Sequence, residues 1–170
     1  VKKYVLSIFI LCTFTLSYSQ NDISFLLKDK NKVNVRYTND FESLEIKNSK
    51  TGKTQILKNI EVSITGKDSH LETNDYNFDG FTDFASFHSD DGMGVYSIYQ
   101  IFIFNPKTQQ FDLLEFPTHF KPKCDMFCDV KIDKTKKTLT SSCRGGARTH
   151  YDVWKYDRNK KLILSKTESY

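Results

Sequence analysis

The sequence predicts an all-β domain built from antiparallel hairpins. Three observations carry that expectation: apolar residues recur at every second position, those positions are rich in β-branched and aromatic types, and Asn or Asp residues punctuate the pattern at hairpin intervals. No segment carries a helical stripe capped at both ends. At 170 residues the chain corresponds to about one domain, by the prior of roughly 100 to 200 residues each, with enough length to bury a core.

The first stretch, "VKKYVLSIFILCTFTLSYSQ", is set apart from the rest. Lys2 and Lys3 precede an apolar run from Tyr4 to Leu16, and Ser17-Tyr18-Ser19 gives a small-x-small cleavage pattern. This reads as a secretory signal peptide over 1–19, leaving a single β domain over 20–170 that starts at Gln20. The run is shorter than the roughly 20 residues that span a bilayer, so no membrane anchor is expected after cleavage. Acylation at Cys12 is the competing reading, but "FILCTF" lacks a small residue before the cysteine. The expected location is the periplasm or the exterior.

Beyond the leader, "ISFLLKD" opens the strands. "KVNVRYT" alternates Val33, Val35 and Tyr37, and "SLEIKN" alternates Leu44 and Ile46. The longest apolar run, Val95 to Phe104, is short and rich in Ile, Phe and Tyr, which favours a strand over a helix. Four turns, "IKNSKTGKTQI", "FNPKTQQF", "IDKTKKTL" and "YDRNKKLIL", each place Asn or Asp after an apolar or aromatic residue. Such a side chain can accept from the backbone ahead of it and start a turn. The markers are Asn48, Asn105, Asp133 and Asp157. With Asn77 between the first two, the intervals are 29, 28, 28 and 24 residues. Five similar hairpins are expected, arranged as a compact propeller-like, barrel or sandwich domain.

Cys124, Cys128 and Cys143 remain after the leader, and in an exported protein cysteines are more often bridged than metal-bound. A hairpin from Cys128 to Asp133 and back from Thr138 to Cys143 pairs position i with 271 minus i. That register sets Cys128 opposite Cys143 as the expected disulfide, with Cys124 unpaired or competing. A zinc site from the three cysteines with His119 or His150 is the alternative, though the spacing fits no usual finger.

The formal charge is +4 and falls to +2 once Lys2 and Lys3 leave with the leader. The lysines are scattered through turns, and this argues against a nucleic-acid partner. They suit solvated loops and charged sheet edges.

One stretch concentrates oxygen ligands: "NDYNFDGFTDF", Asn74 to Phe84. Asp75, Asn77 and Asp79 alternate ahead of Gly80, the Phe81 carbonyl follows, and Asp83 closes the set. Calcium takes six to eight hard oxygens, and alternate residues around a glycine bend supply them. The first six positions match the opening of an EF-hand loop, but Ser86 stands where the bidentate glutamate would be, and strands rather than helices flank the loop. Calcium is the expected cofactor, with Asp75, Asn77, Asp79, Phe81 and Asp83 as its ligands. The competing reading is an Asx-rich turn that holds no metal.

The ordered set "DYNFDGFTDF", "SDDGMGVY", "YQIFIFNPKTQQF", "LTSSCRGGA" and "YDVWKYDRNKKLIL" resembles a family of small exported bacterial proteins. It is typified by the immunity protein against a lysozyme-like effector of a type IV secretion system, and is similar to periplasmic inhibitors of i-type lysozymes. The likeness runs from Asn74 to Leu164. It implies a propeller-like domain with bound calcium that inhibits a peptidoglycan hydrolase by inserting a loop into its cleft. By motif, Asp75, Asn77, Asp79 and Asp83 match the family's metal positions.

The inhibitory loop would be Ser89, Asp90, Asp91, Gly92, Gly94 and Tyr96. It departs from the family pattern, in which a serine and glycine closely precede a tyrosine. Here Asp90 and Asp91 separate Ser89 from Gly92. Physically, a glycine-bearing tip suits a narrow cleft, Tyr96 anchors its base, and Asp90 and Asp91 suit a basic hydrolase surface. A plain hairpin tip is the alternative, and "CRGGA", Cys143 to Ala147, is open between a functional loop and a bulge.

The expected function is therefore a calcium-stabilised inhibitor or immunity protein of a lysozyme-like hydrolase. The alternative is a structural or adhesive calcium module. An enzyme is not expected: G-x-S-x-G and H-E-x-x-H are absent, and His70, His88, His119 and His150 are far apart in sequence.

Overall fold

The computed structural model describes residues 22–38, 41–93 and 95–170. The leader expected over 1–19, with Cys12, and Gln20 and Gly94 lie outside the described residues.

Among the described residues thirteen strands form three antiparallel sheets. The first is a four-stranded meander of β1 (Asp22–Leu26), β2 (Lys32–Thr38), β3 (Ser43–Asn48) and β4 (Thr54–Lys58). The second runs β5 (Ser69–Asn74), β6 (Asp83–Ser89), β7 (Ser97–Asn105) and β8 (Gln110–Leu113), with β9 (Phe127–Cys128) paired to β7. The third runs β10 (Lys131–Asp133), β11 (Thr138–Gly145), β12 (Arg148–Tyr156) and β13 (Leu162–Ser169). Each sheet has two open ends, so none of the three closes on itself as a barrel. Among the described residues the one helical turn is the 3-10 segment Thr118–Phe120.

Each predicted marker caps a hairpin turn. Asn48 accepts from the Lys50 and Thr51 amides between β3 and β4, and Asn77 from the Asp79 amide between β5 and β6. Asn105 accepts from Lys107 and Thr108 between β7 and β8, Asp133 from Thr135 and Lys136 between β10 and β11. Asp157 accepts from Asn159 and Lys161 between β12 and β13. A sixth turn of the kind, unmarked by the sequence reading, uses Asp29 to accept the Asn31 amide between β1 and β2. The first sheet's two turns are stitched together, because Asn31 Nδ2 donates to Asn48 Oδ1 at 2.7 Å.

The core lies on both sides of the second sheet. Phe84, Phe102 and Phe104 pack with Val33, Val35, Leu44 and Ile46 of the first sheet. Ala85 and Ile101, on the opposite face of the same strands, pack with Leu139 and Trp154 of the third. This explains why β6 is buried at Asp83, Phe84, Ala85 and Ser86 in succession: a strand covered on both faces loses the alternation of a half-exposed one.

The expected disulfide is corrected. The predicted register holds at Lys131↔Thr140, Ile132↔Leu139 and Asp133↔Thr138. It does not reach the cysteines, because the chain turns at Asp129, which sits at a positive φ of 40°. The Asp129 amide donates to the Ser97 carbonyl and its carboxylate accepts the Ser97 amide, so Cys128 pairs with Ile98 of β7. Cys143 is bonded to Cys124, with Cα atoms 5.7 Å apart, and Cys128 is a buried thiol. Burial, followed by nearby acidic groups led by Asp129, pushes that thiol up to about 12. Peptide mapping should therefore recover a Cys124–Cys143 cross-link, with Cys128 alkylated at pH 8 only after denaturation. Rapid labelling of Cys128 in the native protein, or a Cys128–Cys143 peptide, would overturn the assignment.

Candidate metal centre and the neighbouring loops

The loop from Asp75 to Asp83 joins β5 to β6, and its oxygens turn inward on the loop's own amides. Asp75 Oδ1 accepts from the Asp79 amide at 3.0 Å and Oδ2 from Gly80 at 2.9 Å. Asn77 Nδ2 donates to Asp79 Oδ2 at 3.0 Å, and Asp79 Oδ1 accepts the Phe81 amide at 2.9 Å. Gly80 sits at φ +85°, a backbone conformation that favours glycine.

Asp83 is fully buried, and it reaches in two directions. Its Oδ2 accepts the Tyr76 amide and its Oδ1 the Phe104 amide, both at 2.8 Å, so one carboxyl fastens the loop to β7. Burial pushes it up to about 7, against the lowering effect of those two amides.

The donor set is all hard oxygen, which suits calcium. The Tyr156 hydroxyl, shielded and without a partner, lies where it feels the charge of Asp83, Asp79 and Asp75. The carboxylates are arranged on amides rather than around one centre. Among the described residues, no group of three His, Cys, Asp or Glu side chains is placed to hold a metal, and this includes the three cysteines with His119 or His150.

The loop after β6 is built differently from the sequence expectation. Asp90 is buried, and its Oδ1 accepts the Val95 amide at 2.7 Å and the Tyr96 amide at 3.3 Å. Asp91 reaches across to the β4–β5 connection, where it accepts from the Ser63 and Thr65 hydroxyls and the Ile64 and Thr65 amides. Lys67 Nζ donates to the Asp90 carbonyl. Both acids thus fasten the loop and do not form a free acidic surface for a basic partner. What the clamp presents outward is apolar: Ile64 is 90% and Met93 72% exposed, with Val95 beside them. Ser89 and Gly92 are also exposed.

Tyr96 at the base of this loop shares a cavity with Cys143, Arg144, Gly145 and His150. The two glycine-bearing segments that stood apart in sequence, "SDDGMGVY" and "CRGGA", therefore meet in space. Asp152, fully buried on β12, accepts the Lys123 and Cys124 amides and so holds the disulfide segment against this cavity. Sequence reasoning missed the Asp91 clamp and the Asp152 hold, since each joins residues more than twenty positions apart.

No protein-family model matches this chain, and neither does any curated protein or solved structure with which it was compared.

Asp91 makes a pH prediction. Hydrogen bonds, led by the Ser63 hydroxyl, hold its carboxyl well below the usual carboxylate range. A depressed folded-state pKa gives a contribution that is complete above the unfolded value near 3.8 and is lost as pH falls through the lower folded value. Amide exchange at Ile64 and Thr65 should stay slow from pH 8 to about 4 and quicken only in stronger acid, while Asp91→Ala should speed it throughout. A transition with a midpoint at or above 4 in the wild type would contradict the clamp.

Proposed function

We propose that this chain is an exported, calcium-binding interaction protein that inhibits, or gives immunity to, a lysozyme-like peptidoglycan hydrolase. The observation that carries the reading is the segment from Ser89 to Tyr96. It is pinned by Asp90 and Asp91 and presents Met93 outward, and its base shares a cavity with the loop from Cys143 to Gly145. A protrusion fixed before binding loses little conformational freedom on entering a cleft, which is what an inhibitory loop requires. Two four-stranded meanders and a five-stranded sheet between them, with cores between successive sheets, also support the propeller-like reading.

Complementarity in this scheme is apolar at the tip and polar at the base. Met93 and Ile64 would fill the partner's cleft, and Tyr96 with Arg144 would contact its rim. Aromatic and arginine residues at such positions commonly carry much of the binding energy. Calcium would be held by Asp75, Asn77, Asp79, the Phe81 carbonyl and Asp83, where it would fix the β5–β6 turn and the strands leaving it.

Two measurements test this. Chelator should lower the melting temperature and calcium restore it, since free ion at 100 times its Kd stabilises by about 2.7 kcal/mol; identical melting curves would remove the metal. Against a panel of purified lysozymes of different types, the wild type should bind at least one member. Met93→Asp and Tyr96→Ala should each weaken binding about tenfold or more at unchanged melting temperature. No binding across the panel, or wild-type affinity in both variants, would end the loop assignment.

A further inference from the structure

A second concavity lies elsewhere, between the turn ends of the second and third sheets. Its volume is about 600 Å³, within the range of small-molecule sites, roughly 300 to 1,000 Å³. Its walls come from the β5–β6 turn, from β7 and β8, and from the β10–β11 and β12–β13 turns. In a meander alternate turns fall at the same end, so the Asx turns at Asp133 and Asp157 bring Lys137 and Lys160 to one rim.

The apolar lining is Phe78, Ile103, Leu114 and the Tyr156 ring, with Leu113 at the edge, 43% exposed. Phe78 meets Tyr156 edge-on at 6.3 Å between ring centres. The polar groups divide sharply by type. Each carboxylate in the lining accepts at least one hydrogen bond: Asp79 through both oxygens, from Asn77 and Phe81, Asp112 through Oδ2 from Asn105, and Asp157 through Oδ1 from Asn159 and Lys161. The two ammonium groups and the phenol are not engaged. Among the described residues neither Lys137 nor Lys160 lies within ion-pair distance of a carboxylate, and the Tyr156 hydroxyl is shielded from solvent with no partner.

We propose that this cleft binds a small monocarboxylate carried on an apolar body. Two ammonium groups and a phenol O–H call for acceptors, and the two oxygens of one carboxylate offer about four lone-pair sites. A multiply charged anion is disfavoured because three aspartates outnumber two lysines on the walls. An apolar body meets the aromatic and aliphatic lining. A buried hydroxyl left without a partner is costly, and a bound carboxylate would supply one. The ligand's source is an acyl chain or the C-terminus of a peptide, which share this chemistry.

The test titrates the full chain, in chelator so that no metal ion at the Asp75–Asp83 loop contributes, and follows amide shifts by NMR. The probes are octanoate, N-acetyl-Leu-Ala-Ala with a free C-terminus, and the C-terminal amide of that peptide. At least one carboxylate should give saturable shifts around Phe78, Leu114 and Tyr156, and the amide should not. Saturation by octanoate alone assigns an acyl source, by the peptide alone a peptide source, and by both the shared chemistry.

Tyr156→Phe should weaken binding about tenfold while leaving the melting temperature unchanged or raised, because it removes an unpartnered hydroxyl. The double variant Lys137→Met, Lys160→Met should weaken it further. Four results would overturn the proposal: no saturable shift at millimolar probe, equal response to the amide, wild-type affinity in these variants, or a melting temperature lowered by several degrees in Tyr156→Phe.

Discussion

The structure depends on one sheet being apolar on both faces. β6 and β7 set Phe84, Phe102 and Phe104 against the first sheet and Ala85 and Ile101 against the third, and the two clusters share no residue. The outer sheets are thus held through the middle one. The aromatic stacking within it, Phe84 on Phe102 with centroids 5.0 Å apart, belongs to the same constraint. Burial of this kind scales with the apolar area removed from water, so large side chains in the central strands contribute most.

Covering both faces of a sheet creates a second difficulty, because the turns and connections at its edges carry backbone amides into the interior. Buried carboxylates meet that need. Asp83 accepts from Tyr76 and Phe104, Asp90 from Val95 and Tyr96, and Asp152 from Lys123 and Cys124. A buried donor without an acceptor costs about 1–3 kcal/mol, so Asp83, which meets two buried amides, offsets about 2–6 kcal/mol of otherwise unmet demand. The same residue type serves at the surface as the Asx cap of the hairpins. Acidic residues here are first an architectural material.

The strands and their turns were legible because their causes are local. Alternation at Val33, Val35, Leu44 and Ile46, and an Asx residue at each of five turns, are short-range signals. The register between Lys131–Asp133 and Thr138–Thr140 followed from turn length alone. The disulfide was misread because the same strand bends at Asp129, and that bend is set by Ser97, thirty-two residues earlier. Asp90 and Asp91 were read as partner-facing charge because their acceptor role depends on Ser63, Thr65 and the returning chain at Tyr96. The oxygen-rich loop was visible as composition, but sequence spacing says nothing of which amides its carboxylates meet. The cleft at Tyr156 was not visible at all, since its walls come from three separate turns and from β7 and β8.

The cysteine arrangement has a consequence for how the chain matures. Cys124 is held by Asp152 of β12, and its partner Cys143 lies in β11. Cys128 is the nearer neighbour of Cys124 along the chain, and it becomes inaccessible only when β9 docks on β7. Before the sheets assemble, Cys124, Cys128 and Cys143 compete as partners, whereas once β9 has docked only the native choice remains among these three. Production in the presence of a disulfide isomerase should therefore favour a uniform product.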